Sequence, residues 1–310
     1  MTQITAPDGT PISSLCFGTM QFGGTADAAE SQAMYEACRA AGVNFFDTAH
    51  VYTRGASETL LGGFAEPERD RVFLATKASY DGGAGRETIL SSLDDSRTRL
   101  RTDVIDLLYM HRYDDATPLE ETFETLAGLM EAGSVRHVGV SNYAAWQVMK
   151  AQAVAARFGL RIAVMQPMYS LVKRQAEVEI LPMAQDQGIA VVPYSPLGGG
   201  LLTGKYARGA AGRLTTDSRY AARYGPEWMH RAAADLATLA SDAGMAPATL
   251  AVAWAARHPG VTAPIISARS AEQLAPSLAA LDVTLDDDLY ARVTALSPTP
   301  PPATDRLEEA

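Results

Sequence analysis

Three side chains suited to holding and moving a proton follow three successive apolar runs: Asp47 after 45–46, Lys77 after 73–76 and His111 after 107–110. A carboxylate, an amine and an imidazole at equivalent strand ends would meet on one rim. Tyr52 lies five residues beyond Asp47, near enough to join them. A free phenol titrates near ~10. An adjacent ammonium favours the phenolate and is expected to lower that value, while a carboxylate keeps the ammonium charged and in place. Tyr52, Lys77 and Asp47 therefore read as a proton-donating relay, with His111 as a ring donor that orients a carbonyl oxygen.

The other strand ends carry a different chemistry. Ser141 and Asn142, then Gln166, then Tyr194 and Ser195, then Ser267 and Arg269 supply amides and hydroxyls for a carboxamide, a flat ring to stack on a nicotinamide and a guanidinium for phosphate. The run from Gly198 to Tyr206, GGGLLTGKY, comes close to two phosphate motifs and completes neither. Counted from Gly199 it reads G-x-x-x-x-G-K, but Tyr206 stands where a hydroxyl would ligate magnesium; counted from Gly198, the third glycine of G-x-G-x-x-G is missing. What remains is unobstructed backbone N–H at a short helix start, enough to cradle a pyrophosphate.

Stepping these residues around one rim requires a scaffold of repeated strands. Short β-branched or aromatic runs at 15–17, 45–46, 72–75, 105–110, 135–140, 162–164, 189–192 and 262–266 alternate with amphipathic helical patterns. The helical patterns fall at 28–41, 57–64, 86–101, 119–131, 144–158, 175–187, 228–243, 247–257 and 271–281, and Gly42, Gly133, Gly159, Gly188 and Gly244 each follow a last turn. Eight such units without a Pro- or Ser-rich linker predict a single α/β (β/α)8 TIM barrel, active at the C-terminal face of its strands, over residues 1–296; an open Rossmann-like sheet is the alternative. The Gly-, Ala- and Arg-rich stretch 207–226 reads as a functional loop, and 297–310, SPTPPPATDRLEEA, as a mobile proline-rich and acidic tail.

Composition narrows the partners. Hydrophobic residues make up 47% of the 310, enough for a full core, and 26 basic against 36 acidic residues give a net charge of −10. An acidic surface disfavours nucleic acid or an anionic membrane and points to a small molecule. The opening MTQITAPDGT has neither the basic nor the apolar region of an export signal, and Cys16 and Cys38 fit no metal spacing, so a cytoplasmic protein with two buried thiols and no metal is expected.

The same residues resemble a family. Gly42-Val-Asn-Phe-Phe-Asp47-Thr-Ala-His-Val-Tyr52, with Gly55, Ser57, Glu58 and Gly62 behind it, is similar to the first signature of the aldo-keto reductases. Gly139-Val-Ser141-Asn142, Gln166-Pro-Met-Tyr-Ser, Tyr194-Ser-Pro-Leu-Gly and Ala268-Arg269-Ser270-Ala-Glu-Gln273 resemble its later motifs in order, so that the match spans about 10–285. The resemblance implies carbonyl reduction by NADPH in preference to NADH, with Asp47, Tyr52, Lys77 and His111 as the catalytic set. It further implies that Ser141, Asn142 and Gln166 hold the carboxamide and that Tyr194 lies under the nicotinamide. Ser195, Leu197 and Gly199 would approach the pyrophosphate, and Arg269, Ser267 and Gln273 the 2′-phosphate. Departures are Ser134 for a common Lys, Ser267 for a common Gly or Lys, and Pro276–Ser277 for the usual Glu–Asn adenine contacts.

Met20, Phe22, Tyr80, Tyr113, Tyr224 and Trp228 are expected to build a pocket for an apolar or aromatic carbonyl substrate. Other chemistries remain open at this level: a Schiff-base aldolase with Lys77 as nucleophile, a nucleotide-binding regulatory subunit with slow turnover, and a metal hydrolase using His50, His111 and Asp47.

Overall fold

A computed structural model describes residues 4–206 and 209–309. Its eight strands are β1 (Cys16–Gly18), β2 (Phe45–Asp47), β3 (Phe73–Ala78), β4 (Ile105–Met110), β5 (Val135–Ser141), β6 (Ile162–Gln166), β7 (Ala190–Val191) and β8 (Ile265–Ile266). They pair in parallel in the order β7-β6-β5-β4-β3-β2-β1-β8. The two ends meet: Thr262 N donates to Val191 O and Ile265 N to Pro193 O, both at 2.8 Å, with a parallel bridge between Tyr194 and Ile265. These bonds close the sheet into the expected (β/α)8 barrel.

The helices are α1 (Ala28–Ala40), α2 (Ala56–Ala65), α3 (Arg86–Leu100), α4 (Leu119–Glu131), α5 (Ala145–Ala155), α6 (Ile180–Gln187), α7 (Arg213–Thr216), α8 (Ser218–Arg223), α9 (Glu227–Asp242), α10 (Pro247–Arg257), α11 (Ala271–Leu278) and α12 (Asp287–Thr294). All five glycines expected after helix ends adopt positive φ, from 62° at Gly188 to 82° at Gly42. Helices stand at two places where the sequence reading has none. The expected loop at 207–226 contains α7 and α8 (its residues 207 and 208 lie outside those described), and α12 follows the last expected helix.

Strand side chains alternate between two packed layers. Cys16, Phe45, Phe73, Ala75, Leu107, Tyr109, Val164, Ala190 and Ile265 fill the barrel interior. Their neighbours Phe17, Phe46, Leu74, Leu108, Met165, Val191 and Ile266 face the helices. Every strand residue of the first set is buried, which makes the interior a packed plug whose upper end is the floor of the site.

Candidate active site

The alternation places the chemistry. Asp47 has the parity of Phe45, Lys77 that of Ala75, His111 that of Tyr109 and Gln166 that of Val164, so all four rise from the interior layer at the C-terminal rim. Gly139 shares that layer in β5, opposite Tyr109 and Val164. A Cβ on Gly139 would lie 2.6 Å from the Tyr109 ring, so the glycine makes room for the aromatic floor beneath the site.

Lys77, 1% exposed, spends its ammonium on three acceptors: an ion pair with Asp47 Oδ1, the carbonyl of Thr48 at 2.7 Å and the Tyr52 hydroxyl at 3.5 Å. The second oxygen of Asp47 accepts from Gln166 Nε2 at 2.9 Å. Burial works to lower the Lys77 pKa, but the Asp47 carboxylate and Tyr52 outweigh it and hold the amine above its ordinary range. Burial likewise raises the Asp47 carboxyl against the pull of Lys77 and Gln166.

Tyr52 departs from the sequence expectation. Burial of its hydroxyl raises the phenol above 10.0, and the opposing pull of Lys77 does not reverse the shift. Tyr52 thus keeps its proton at neutral pH. The His111 ring stands 5.9 Å from that of Tyr52, and burial, reinforced by Lys77 and Arg112, pushes its pKa down to about 3. The imidazole is neutral, and its buried Nδ1 has no hydrogen-bond partner among the described residues.

The loop that carries Tyr52 is tied down by the residues behind it. Ser57 Oγ meets Thr19 Oγ1 at 2.8 Å and Thr48 Oγ1 at 2.9 Å, joining the ends of β1 and β2 to the first turn of α2. Thr53 and Arg54 take left-handed backbone (φ 47° and 57°), and Gly55 follows at 90°. Buried Glu58 holds Arg99 at 3.2 Å, and Arg99 donates to the carbonyl of His50 at 3.2 Å. A Cβ on Gly55 would lie 2.7 Å from the Arg99 guanidinium, and one on Gly62 would lie 2.5 Å from the Arg99 carbonyl.

The opposite half of the rim holds the side chains suited to a carboxamide and phosphates. Asn142 and Ser195 leave their strands with φ of 59° and 63°, a strained conformation for residues other than glycine. Asn142 Nδ2 donates to the His111 carbonyl at 2.9 Å, and Ser141 Oγ to the Gln166 carbonyl at 3.0 Å. The glycine-rich run forms a short 3-10 turn, Gly198–Thr203, in which Gly198, Gly199 and Gly200 all have positive φ. A Cβ on Gly199 would lie 2.9 Å from Tyr220, so this face stays bare backbone. Around it gather Lys205, Arg213 and Arg269: burial lowers the Lys205 pKa, and the other two cations lower it further. Among the described residues none of the three is paired with a carboxylate. The hydroxyl of Ser267, two residues before Arg269 in the chain, is buried and has no partner among the described residues.

Residues 14–298 match the family model described as the Aldo/keto reductase family. The chain belongs to that family. It is 36% identical over 312 residues to the uncharacterized oxidoreductase YrpG of Bacillus subtilis, covering 94% of each chain. A probable voltage-gated potassium channel subunit beta of Oryza sativa is 35% identical over 295 residues, 89% of each chain. L-glyceraldehyde 3-phosphate reductase of Escherichia coli is 30% identical over 295 residues, 88% of this chain and 85% of that protein.

Within this aldo/keto reductase the expected substrate pocket needs correction. Phe22 is fully buried against Phe17 and Phe64, because the chain turns back after β1 through a bond from Phe22 N to Thr19 O. Tyr224 is also fully buried, its ring within reach of a Cβ on Gly198 or Gly199. Trp228 lines a cavity of about 350 Å³ with Arg231, Asp235 and Leu296, none of them a rim residue. Tyr113 turns toward Tyr143 and Trp146. Tyr80 stays 41% exposed with its ring 4.8 Å from His111, and Met20 is 36% exposed after β1.

Ser277, which stands where the family resemblance expects an adenine contact, is buried, and the Pro276 carbonyl is taken by Thr249. His50 pairs with Asp95 at 3.1 Å, and among the described residues no group of three metal-ligating side chains comes together. The sequence reading overlooked Lys205 and Arg213 as members of the basic cluster; the Gly-Lys step at 204–205 was the available signal.

Proposed function

We propose that this aldo/keto reductase is a carbonyl reductase that uses NADPH, with Tyr52 as general acid. The observation that carries the reading is the joint of Tyr52, Lys77 and Asp47 beside a neutral His111, on the rim that also bears the unpaired cations. The residues fit the dinucleotide: Arg269, Lys205 and Arg213 suit its phosphates, the bare Gly199–Gly200 backbone suits the pyrophosphate, and Asn142, Ser141 and Gln166 suit the carboxamide. When bound, NADPH supplies the hydride.

The protein supplies everything else. The neutral imidazole of His111 donates an N–H to the substrate oxygen, with no cation to be discharged first. Tyr52 holds a proton on Oη and passes it to the same oxygen as negative charge builds there. Lys77, fixed by Asp47 and Thr48, steadies the phenolate that remains. Tyr80, its ring 4.8 Å from that of His111, and exposed Met20 after β1 offer apolar surface suited to an apolar or aromatic substrate body. The free, buried Cys16 and Cys38 suit a cytoplasmic location.

The aldolase reading is disfavoured because a nucleophilic lysine needs a free amine and an open approach, whereas Lys77 is cationic, buried and fully engaged. A regulatory role with slow turnover keeps one point in its favour, the similarity to channel beta subunits. Purified protein given NADPH and a panel of aldehydes and ketones separates the two. Consumption of NADPH matched by alcohol formation supports the reductase; saturable NADPH binding with no turnover on any carbonyl favours the regulatory role.

A further inference from the structure

The side-chain amide of Asn142 is held on three sides. Nδ2 donates to the main-chain carbonyl of His111 at 2.9 Å and to Ser141 Oγ at 3.1 Å, and Oδ1 accepts from the Tyr194 hydroxyl at 2.7 Å. The first bond settles which end of the amide is which, since a carbonyl only accepts. Tyr194 stands three residues past β7, so its hydroxyl reaches across β6 to the end of β5. Burial pushes its phenol up to about 12, which keeps it a donor at any ordinary pH.

A residue whose use is a flat face needs no hydroxyl; phenylalanine would stack equally well. Here the hydroxyl closes a chain of bonds, from Tyr194 to Asn142 to the main-chain carbonyl of His111, that links the end of β5 to the backbone that carries the imidazole. Asn142 also carries left-handed backbone, where an unrestrained amide has local alternatives to its present rotamer.

We propose that the Tyr194 hydroxyl is a positioning group for the reaction, clamping Asn142 so that its amide meets the nicotinamide carboxamide in one orientation and the His111 main chain is held at one height. This rests on the cofactor reading above. Without the hydroxyl the ring face remains, and the share of molecules with Asn142 correctly turned falls.

The test uses the full chain and binding as its readout. NADPH and adenosine 2′,5′-bisphosphate, which lacks the nicotinamide, are titrated into wild type, Tyr194→Phe, Asn142→Ala and the double variant. The expected result is a Kd for NADPH about tenfold higher in Tyr194→Phe, near 1.4 kcal/mol, with the fragment unchanged. In the Asn142→Ala background the same replacement is expected to have no further effect, the mark of two residues acting as one unit. Unchanged NADPH affinity in Tyr194→Phe overturns the proposal. So does an equal loss for the fragment, or an undiminished loss when Asn142 is already absent. Wild-type protein that binds neither compound overturns the functional reading itself, and the clamp with it.

Discussion

Gln166 Nε2 donates to Asp47 Oδ2 at 2.9 Å inside the barrel, while the other oxygen of Asp47 takes Lys77. A side chain that the family resemblance assigns to the cofactor carboxamide therefore also supports the proposed relay by holding Asp47. Replacing Gln166 by Met leaves a buried carboxylate oxygen without a donor. Losing a bond to the charged form raises the carboxyl pKa further, so the pH below which turnover fails is expected to move upward, with a loss of roughly tenfold at neutral pH. The pH profile of kcat in both proteins measures this; superimposable profiles would contradict it.

His111 should not titrate in the physiological range. Its pKa of about 3 predicts an imidazole NMR signal that stays flat between about pH 5 and pH 8. Because the folded value lies below the ordinary 6.5, the residue contributes stability above 6.5 that is lost as pH falls toward 3. His111→Gln should flatten that part of the stability curve. An inflection near 6.5 in the wild-type signal would show a solvated, ordinary histidine.

Gly139→Ala places a methyl group 2.6 Å from the Tyr109 ring and 2.8 Å from the Val164 carbonyl, with rigid neighbours on both sides. Overpacking of this kind costs about 1–3 kcal/mol. Urea unfolding of the variant should show a lower midpoint with an unchanged slope; equal midpoints would mean that the interior is looser than it looks.

Arg269 belongs to a cluster of cations that have no carboxylate partners among the described residues. If it faces the 2′-phosphate, Arg269→Ala weakens NADPH by roughly tenfold and leaves NADH nearly untouched, since a charge-assisted bond is lost only where the phosphate exists. Fluorescence titration with both dinucleotides decides the matter, and an equal loss for the two would place Arg269 elsewhere on the cofactor.

Much of this architecture is legible in the chain because barrel strands and amphipathic helices obey different periods. The bounds of β4 and α4 follow from their residues alone: Ile105–Met110 is an apolar strand run, and Leu119–Glu131 keeps Leu119, Phe123, Leu126 and Leu129 on one buried face. The shortening of β7 and β8 comes from Pro193 and Pro264, which have no N–H for a ladder. Helices α7 and α8 have no buried residue to mark a period, and α12 buries only Val293, although Asp286, which caps it by accepting from Leu289 N, was a readable start signal.

The proposed catalytic set was readable as residue types at or near strand ends. The direction of the Tyr52 shift was not, since a sequence names the neighbouring ammonium and cannot weigh it against burial. Nor could strand-end logic reveal that Phe22 and Tyr224 turn inward, because those positions lie in connections whose path depends on tertiary packing.

Calorimetric titration of NADPH into wild type and Tyr52→Phe, followed by turnover of the same samples on a reducible aldehyde, tests the central claim most directly. The raised phenol pKa means Tyr52 carries its proton throughout the neutral range, so the hydroxyl is the group that matters. Equal binding in both proteins, with turnover lowered by at least about 100-fold in the variant, is the predicted result. Wild-type turnover in Tyr52→Phe, or no NADPH uptake by either protein, would contradict it.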